Sequence, residues 1–205
     1  MIGLLSALRG TRAALTGQTW RVPAIIMVGG MASYLAVNGL TLVASRGPLV
    51  IGHVAAATFA IAIGALQFLA NLRSRLPQWH RWLGRTYVGI SLFAGITAMF
   101  LASARGMAAL DAEVLGLAVT AFLWVIATTA GFWAISRRSF AVHRRWMIRS
   151  YALAFTAITV RFYEHGMADL GFGDPAQAGA VLSWAALISN LAIAEWIGRT
   201  LPRQP

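Results

Sequence analysis

Four histidines are the side chains best suited to chemistry in a chain that contains no cysteine. They are His53, His80, His143 and His165. A neutral imidazole can ligate a haem iron, and a protonated one can carry a proton or hold an anion. The absence of cysteine excludes disulfides, c-type haem attachment, iron–sulfur clusters and thiolate catalysis. We therefore treat the four imidazoles as candidate haem-iron ligands.

Arginines and a few other polar side chains accompany these histidines. Two segments carry most of them, HRWLGRTYV (His80–Val88) and HRRWMIRSYALAFTAITVRFY (His143–Tyr163). Besides the histidines, the candidate binding residues are Gln67, Arg81, Arg85, Tyr87, Arg144, Arg149 and Arg161. Guanidinium groups suit haem propionates, a quinone head group, a lipid phosphate or an anionic substrate. An arginine-biased composition, or anchoring at the lipid head groups, explains the same residues without any ligand.

The elements that position these residues must be membrane helices. Of the 205 residues, 59% are hydrophobic and only 11% are charged, and the mean hydropathy is +0.69. A soluble domain has roughly a quarter of its residues charged. We therefore expect one all-α membrane domain over residues 1–205, a polytopic helical bundle in contact with the lipid bilayer.

Six apolar stretches are long enough to cross a bilayer, which needs about 20 helical residues. The predicted spans cover about 22–44, 48–72, 80–104, 115–135, 143–165 and 178–200. Residues 1–20 carry leucines beside Arg9 and Arg12 and predict a basic amphipathic helix that lies on the inner leaflet. No cleavage site of a secretory signal follows it.

The arginines predict the orientation of these spans. If the N-terminus is cytoplasmic, only Arg46, Arg105 and Arg161 fall on the outer side, and most of the acidic residues fall there too. Six transmembrane helices with both termini in the cytoplasm follow from this distribution. It also explains the net charge of +11 without nucleic acid as a partner.

The histidines fall into two candidate sites when depth and helical rotation are combined. An outer site would join His53 and His165, with Arg161 one turn away. An inner site would join His80 and His143 to the neighbouring arginines, with Gln67 and Tyr87 as polar neighbours. Small residues share the histidine faces of the second, third and fifth spans and would leave room for a flat cofactor. Such residues equally allow close helix packing.

A b-type haem fits paired histidines better than other cofactors do. A catalytic zinc site needs three protein ligands, and neither site offers a third. Ser150 lies near His143 in the sequence, but no acidic residue is near enough to complete a hydrolytic triad. The reaction, if there is one, and its catalytic residues stay open.

Residues Pro48 to His165 resemble a bacterial family of predicted multi-pass membrane proteins that is known only as a domain of unknown function. The resemblance rests on His53, Gln67 and the two segments quoted above, and it implies a helical protein of the bacterial inner (plasma) membrane. A looser resemblance to two-haem transmembrane b-type cytochromes implies electron transfer. Because His143 and His165 are 22 residues apart, about 33 Å along a helix, one haem is easier to accommodate than two.

Three functions are consistent with these residues. The first is binding of a haem-like or quinone-like redox cofactor on the second, third and fifth spans, with a quinone or a larger respiratory-type membrane complex as partner. The second is a non-catalytic accessory subunit or small transporter-like protein, whose histidines and arginines anchor lipid, bind a partner or relay protons. An enzyme acting on an isoprenoid or lipid phosphate ranks last, since the carboxylates that usually hold magnesium are missing.

Overall fold

In a computed structural model of the chain, residues 47–104, 111–171 and 178–200 are described. They form seven helices and no strand: α1 Pro48–Gln67, α2 Ala70–Arg75, α3 Pro77–Ser103, α4 Ala112–Ser136, α5 Phe140–Ala154, α6 Thr156–Asp169 and α7 Gly179–Thr200. The all-α prediction is therefore confirmed for these residues. The predicted interfacial helix at 1–20 and the span at 22–44 lie outside them.

Four of these helices are long and apolar enough to cross a membrane: α1, α3, α4 and α7. They correspond to the predicted spans at 48–72, 80–104, 115–135 and 178–200. The described helices thus show a polytopic membrane bundle, and the total of six spans stays a prediction.

Local sequence explains where the helices begin and end. Pro48 and Pro77 stand in the first turns of α1 and α3, where the missing proline N–H would have no partner inside the helix. Asp111 caps α4, since its side chain accepts a hydrogen bond of 2.8 Å from the backbone N–H of Val114. α1 ends at Gln67, before the predicted Leu72, because Leu69 is extended and turns the chain into the short, arginine-bearing α2.

The predicted span at 143–165 is two helices in the structure, divided at Phe155. The main-chain carbonyl of Ala152 accepts hydrogen bonds from the Asn190 side chain (3.1 Å) and from the Thr156 hydroxyl (3.5 Å). A side chain that enters the backbone hydrogen-bond ladder is a common cause of a helix break. α6 therefore continues from α5 through a turn, and both helices pack against α7.

Helices α1, α3, α4 and α5 run antiparallel in turn, and α7 runs antiparallel to α5 and α6, so their arginine-rich ends lie on one side. Gln67 at the end of α1 lies beside Gly84 near the start of α3, and the backbone of Gly131 late in α4 contacts His143 early in α5. We call this side the inner end and the opposite side the outer end. Of the described arginines, only Arg161 lies towards the outer end.

Candidate functional site

His80 and Gln67 form the centre of the inner site. The Nδ1 atom of His80 and the Nε2 atom of Gln67 are both buried and without a hydrogen-bond partner. A Cβ atom built on Gly84 would lie 3.4 Å from Gln67 Oε1, so the amide lies over this glycine, one helical turn from His80. The missing side chain at Gly84 thus leaves space for the amide on the face of α3 that also carries His80.

His143 is oriented by the neighbouring helix α4. Its Nδ1 atom lies 2.8 Å from the carbonyl oxygen of Gly131, which can only accept, so the ring donates Nδ1–H, and in the neutral ring Nε2 keeps its lone pair. Histidines that ligate metals usually donate their other ring N–H in this way. His80 and His143, the two histidines of the predicted inner site, also lie close enough to interact electrostatically.

Arginines surround this pair unevenly. Arg73, which is not among the residues predicted from the sequence, interacts electrostatically with both His80 and Arg144. Arg81 and Arg85 are exposed on α3, and the Arg85 guanidinium lies 6.0 Å from the centre of the Trp82 ring. Arg73 therefore places positive charge near His80, Arg144 lies near Arg73, and Arg81 and Arg85 are exposed.

Arg149 is turned away from the inner pair. Its Nε atom donates to Glu195 Oε1 on α7 at 2.5 Å, and its guanidinium lies 4.7 Å from the centre of the Trp146 ring. This arrangement joins α5 to α7 and satisfies the arginine within the protein. The sequence does not predict Glu195 as a partner of Arg149, since nothing in the spacing shows that α7 lies beside Arg149.

Tyr87 is fully buried deeper in the bundle. Its hydroxyl lies 2.9 Å from Ser150 Oγ, which lies 2.7 Å from Thr128 Oγ1. Tyr87 thus belongs to a chain of hydroxyls that joins α3, α5 and α4, below the inner pair.

The two outer histidines make separate contacts. The Nδ1 atom of His53 lies 2.9 Å from the carbonyl oxygen of Ala94 and 3.2 Å from Thr97 Oγ1, so this ring is held against α3. The Nδ1 atom of His165 lies 2.6 Å from the carbonyl oxygen of Arg161 in its own helix, and the ring is exposed. Arg161 itself pairs with Glu164 at 2.6 Å. Each outer histidine is thus satisfied by a different helix.

The small-residue face of α1 is filled by aromatic rings. A Cβ atom on Gly64 would lie 2.5 Å from the ring of Tyr151 and 2.9 Å from the ring of Tyr87. The Tyr151 hydroxyl donates to the carbonyl oxygen of Ile61 at 3.2 Å. At this depth the small residues serve close packing, and room for a ligand is better sought at the inner end.

Over the described ranges, no group of three or more histidine, cysteine, aspartate or glutamate side chains is arranged to hold a metal ion. A catalytic zinc site needs three protein ligands, and the argument against zinc from the sequence uses this requirement. A haem iron needs only two axial ligands from the protein and is a separate question.

Comparison with known protein families identifies the family to which the chain belongs. Residues 50–197 match the family described as Predicted membrane protein (DUF2306), a family of unknown function. The chain belongs to the DUF2306 family. The resemblance to a family of predicted multi-pass membrane proteins is thereby confirmed, and the DUF2306 region includes every candidate site residue from His53 to His165. No curated protein and no solved structure matches this DUF2306 chain.

Proposed function

We propose that this membrane protein binds a redox cofactor of the quinone class, with its head group in the inner site. The observation that carries the proposal is the pair of buried, unpartnered nitrogens, His80 Nδ1 and Gln67 Nε2, at Gly84. Buried polar atoms in proteins are nearly always hydrogen-bonded, so two such atoms together suggest a missing acceptor.

The chemistry of the two side chains defines that acceptor. An amide Nε2 can only donate, and a neutral imidazole with hydrogen on Nδ1 also donates. A quinone carbonyl oxygen accepts two such bonds. Arg73 and Arg144 add positive charge nearby and would stabilise negative charge on that oxygen when the cofactor is reduced.

Lipid-facing surroundings support an amphipathic ligand. Leu76, Trp79 and Trp82 are exposed around the start of α3, at the depth of the inner site. An isoprenoid tail could leave the site into the bilayer along such a surface, while the polar head stays among the arginines. A role in electron transfer at the inner face of the membrane follows.

A b-type haem is the second candidate, and the orientation of His143 favours it. The Gly131 carbonyl fixes a tautomer in which Nε2 of His143 is free to ligate iron, and His80 lies within electrostatic range. Arg73 and Arg144 would then hold propionates. The filled face at Gly64 argues against a macrocycle deeper between α1, α3 and α5.

One purification tests both candidates. The full-length protein is extracted in a mild detergent, its oxidised and dithionite-reduced absorption spectra are recorded, and bound quinone is extracted with organic solvent and measured by mass spectrometry. We expect close to one quinone per chain. The amount of bound quinone should fall by about tenfold or more in Gln67→Leu and in His80→Phe, since each substitution removes one hydrogen-bond donor to the quinone oxygen. A haem would instead give a Soret band that weakens in His143→Ala.

His165→Ala is the matched control, because that imidazole is exposed at the outer end and bonded within its own helix. It should retain the cofactor. A folded protein with neither quinone nor haem would contradict the proposal and favour an accessory subunit or transporter-like role. Co-purification with a larger respiratory-type complex would then support the accessory role.

We also propose that the protein lies in a bacterial inner membrane with both termini in the cytoplasm. The arginines of the inner end support this orientation, since cytoplasmic loops carry the excess of basic residues. Green fluorescent protein fused to the C-terminus should fluoresce. Alkaline phosphatase fused after Ala104, at the outer end of α3, should be active, and the opposite pair of results would reverse the orientation.

A further inference from the structure

The buried hydroxyls next to Tyr87 donate their hydrogens in one direction. Thr128 Oγ1 donates to the carbonyl oxygen of Trp124 at 2.8 Å, which uses its only hydrogen. Ser150 must therefore donate to Thr128, at 2.7 Å, and Tyr87 must donate to Ser150, at 2.9 Å. The phenolic oxygen of Tyr87 is left with lone pairs and no hydrogen to give.

Two further donors lie beside that oxygen without partners. Ser91 Oγ and Trp124 Nε1 are buried and make no hydrogen bond with the protein. Both side chains lie close enough to the Tyr87 hydroxyl to affect it as hydrogen-bond donors, but neither reaches it in hydrogen-bonding geometry. Ser91 is one turn along α3 from Tyr87, and the Trp124 ring packs 3.9 Å from the Cβ position of Gly95, one further turn along.

We propose that this cluster binds an internal water molecule. The water accepts the indole N–H of Trp124 and the hydroxyl of Ser91, and it donates to the oxygen of Tyr87. Buried waters typically make about three hydrogen bonds to otherwise unsatisfied polar groups, which is the number available here. Aromatic or hydroxyl donors left bare would be costly at a depth where lipid supplies no partner.

This water site is independent of the proposed cofactor. It lies between α3 and α4, where Tyr87, Ser91 and Trp124 meet, and it uses neither His80 nor Gln67. Its function is to complete a polar network at an interface of three membrane helices. Loss of cofactor binding would leave it unaffected, and its failure would leave the cofactor proposal standing.

The sign of a stability change distinguishes a wet cluster from a dry one. In a dry cluster, Ser91→Ala removes an unsatisfied hydroxyl and should raise the midpoint of thermal unfolding in detergent. With a bound water, it removes one of three partners and should lower the midpoint by about 2–4 °C. Ser103→Ala is the control on the same helix, because that hydroxyl is exposed and bonded to Phe100, and it should change little.

A double substitution tests whether the two donors share one water. If they do, Trp124→Phe should lower the midpoint less in the Ser91→Ala background than in the wild type. Additive shifts would overturn the proposal, as would a higher midpoint in Ser91→Ala.

Nuclear magnetic resonance gives a readout that needs no variant to be stable. In the full-length protein with 15N-labelled tryptophan, the Trp124 indole hydrogen should show a cross-peak to a long-lived water, and the peak should weaken in Ser91→Ala. An indole hydrogen that sees the Tyr87 hydroxyl and no water would contradict the proposal.

Discussion

The side-chain amide of Asn190 donates a hydrogen bond to the main-chain carbonyl of Ala152, 3.1 Å away. In a continuous helix that carbonyl would accept only from the backbone N–H four residues later, which belongs to Thr156. Asn190 also lies 3.3 Å from the Thr156 hydroxyl and accepts from Thr159 at 3.1 Å. α7 thus holds the turn that separates α5 from α6.

Asn190→Leu should destabilise the bundle by about 1–2 kcal/mol, the upper part of the range for polar contacts between membrane helices. The substitution removes three hydrogen bonds and leaves the extra acceptor on Ala152 unused. Unfolding in a titration with a denaturing detergent would measure the loss. Ile188→Leu is the control, because Ile188 lies on the same helix and is exposed, and it should be nearly neutral. Equal effects of the two substitutions would show that Asn190 does not hold the turn.

Gly64→Ala should destabilise the protein by about 1–3 kcal/mol, the usual cost of overpacking a filled interface. The added methyl group would lie 2.5 Å from the Tyr151 ring and force it to move. Thermal unfolding in detergent measures the change, and Tyr151→Leu in the same protein should restore part of the loss.

Gly89→Ala is the matched control for that substitution. Its Cβ position has no atom within 4 Å, so the same chemical change meets open space. It should be neutral or stabilise α3 by up to about 1 kcal/mol through helix propensity. A stability loss at Gly89 as large as at Gly64 would mean that the tyrosine contact is not the cause.

Arg138→Gly should stabilise the chain by about 1 kcal/mol, because Arg138 has a left-handed backbone (φ 57) that favours glycine. The backbone N–H groups of Arg138 and Ser139 donate back to Ile135 and Ala134, each at 2.9 Å, which closes the end of α4. Arg137→Gly should not stabilise, since the backbone of Arg137 has a negative φ (−88) and its guanidinium lies 4.8 Å from the Trp133 ring centre. Thermal unfolding of the two variants gives the comparison.

Hydropathy was sufficient to predict the four described helices that are long and apolar enough to cross a membrane, because a long apolar run has few alternatives to a helix in lipid. It could not predict the break at Phe155, since the cause is Asn190, distant in the sequence. The helical rotation of Gln67, His80 and His143 predicts a shared inner site, which stays a prediction, and within it His80 and His143 interact electrostatically. The outer site of His53 and His165 also stays a prediction, and the Nδ1 atoms of these two histidines contact α3 and α6 respectively.

The residues missed from the sequence share one property. Arg73, Glu195 and Trp124 each act on a residue of another helix, namely His80 of α3, Arg149 of α5 and Tyr87 of α3. Periodicity reports which face a residue occupies on its own helix. The neighbouring helix decides what that face meets.

Among the residues that the structure describes, Glu195 is the one acidic residue at the inner end. It accepts a hydrogen bond from Arg149 and interacts electrostatically with Arg145 and Arg199. Glu195→Gln should therefore destabilise the protein by about 0.5–1 kcal/mol, because both partners are partly exposed and the remaining arginines then repel one another. This loss of stability should be smaller at high salt, because salt screens the repulsion between the arginines, so thermal unfolding is measured at low and at high salt. Glu164→Gln is the control, since Glu164 pairs with Arg161 within one turn of α6, and about 0.2–0.5 kcal/mol is expected there. If the two substitutions had equal effects with equal salt dependence, Glu195 would be an ordinary surface carboxylate, and the packing of α7 on α5 would rest on apolar contacts and Asn190.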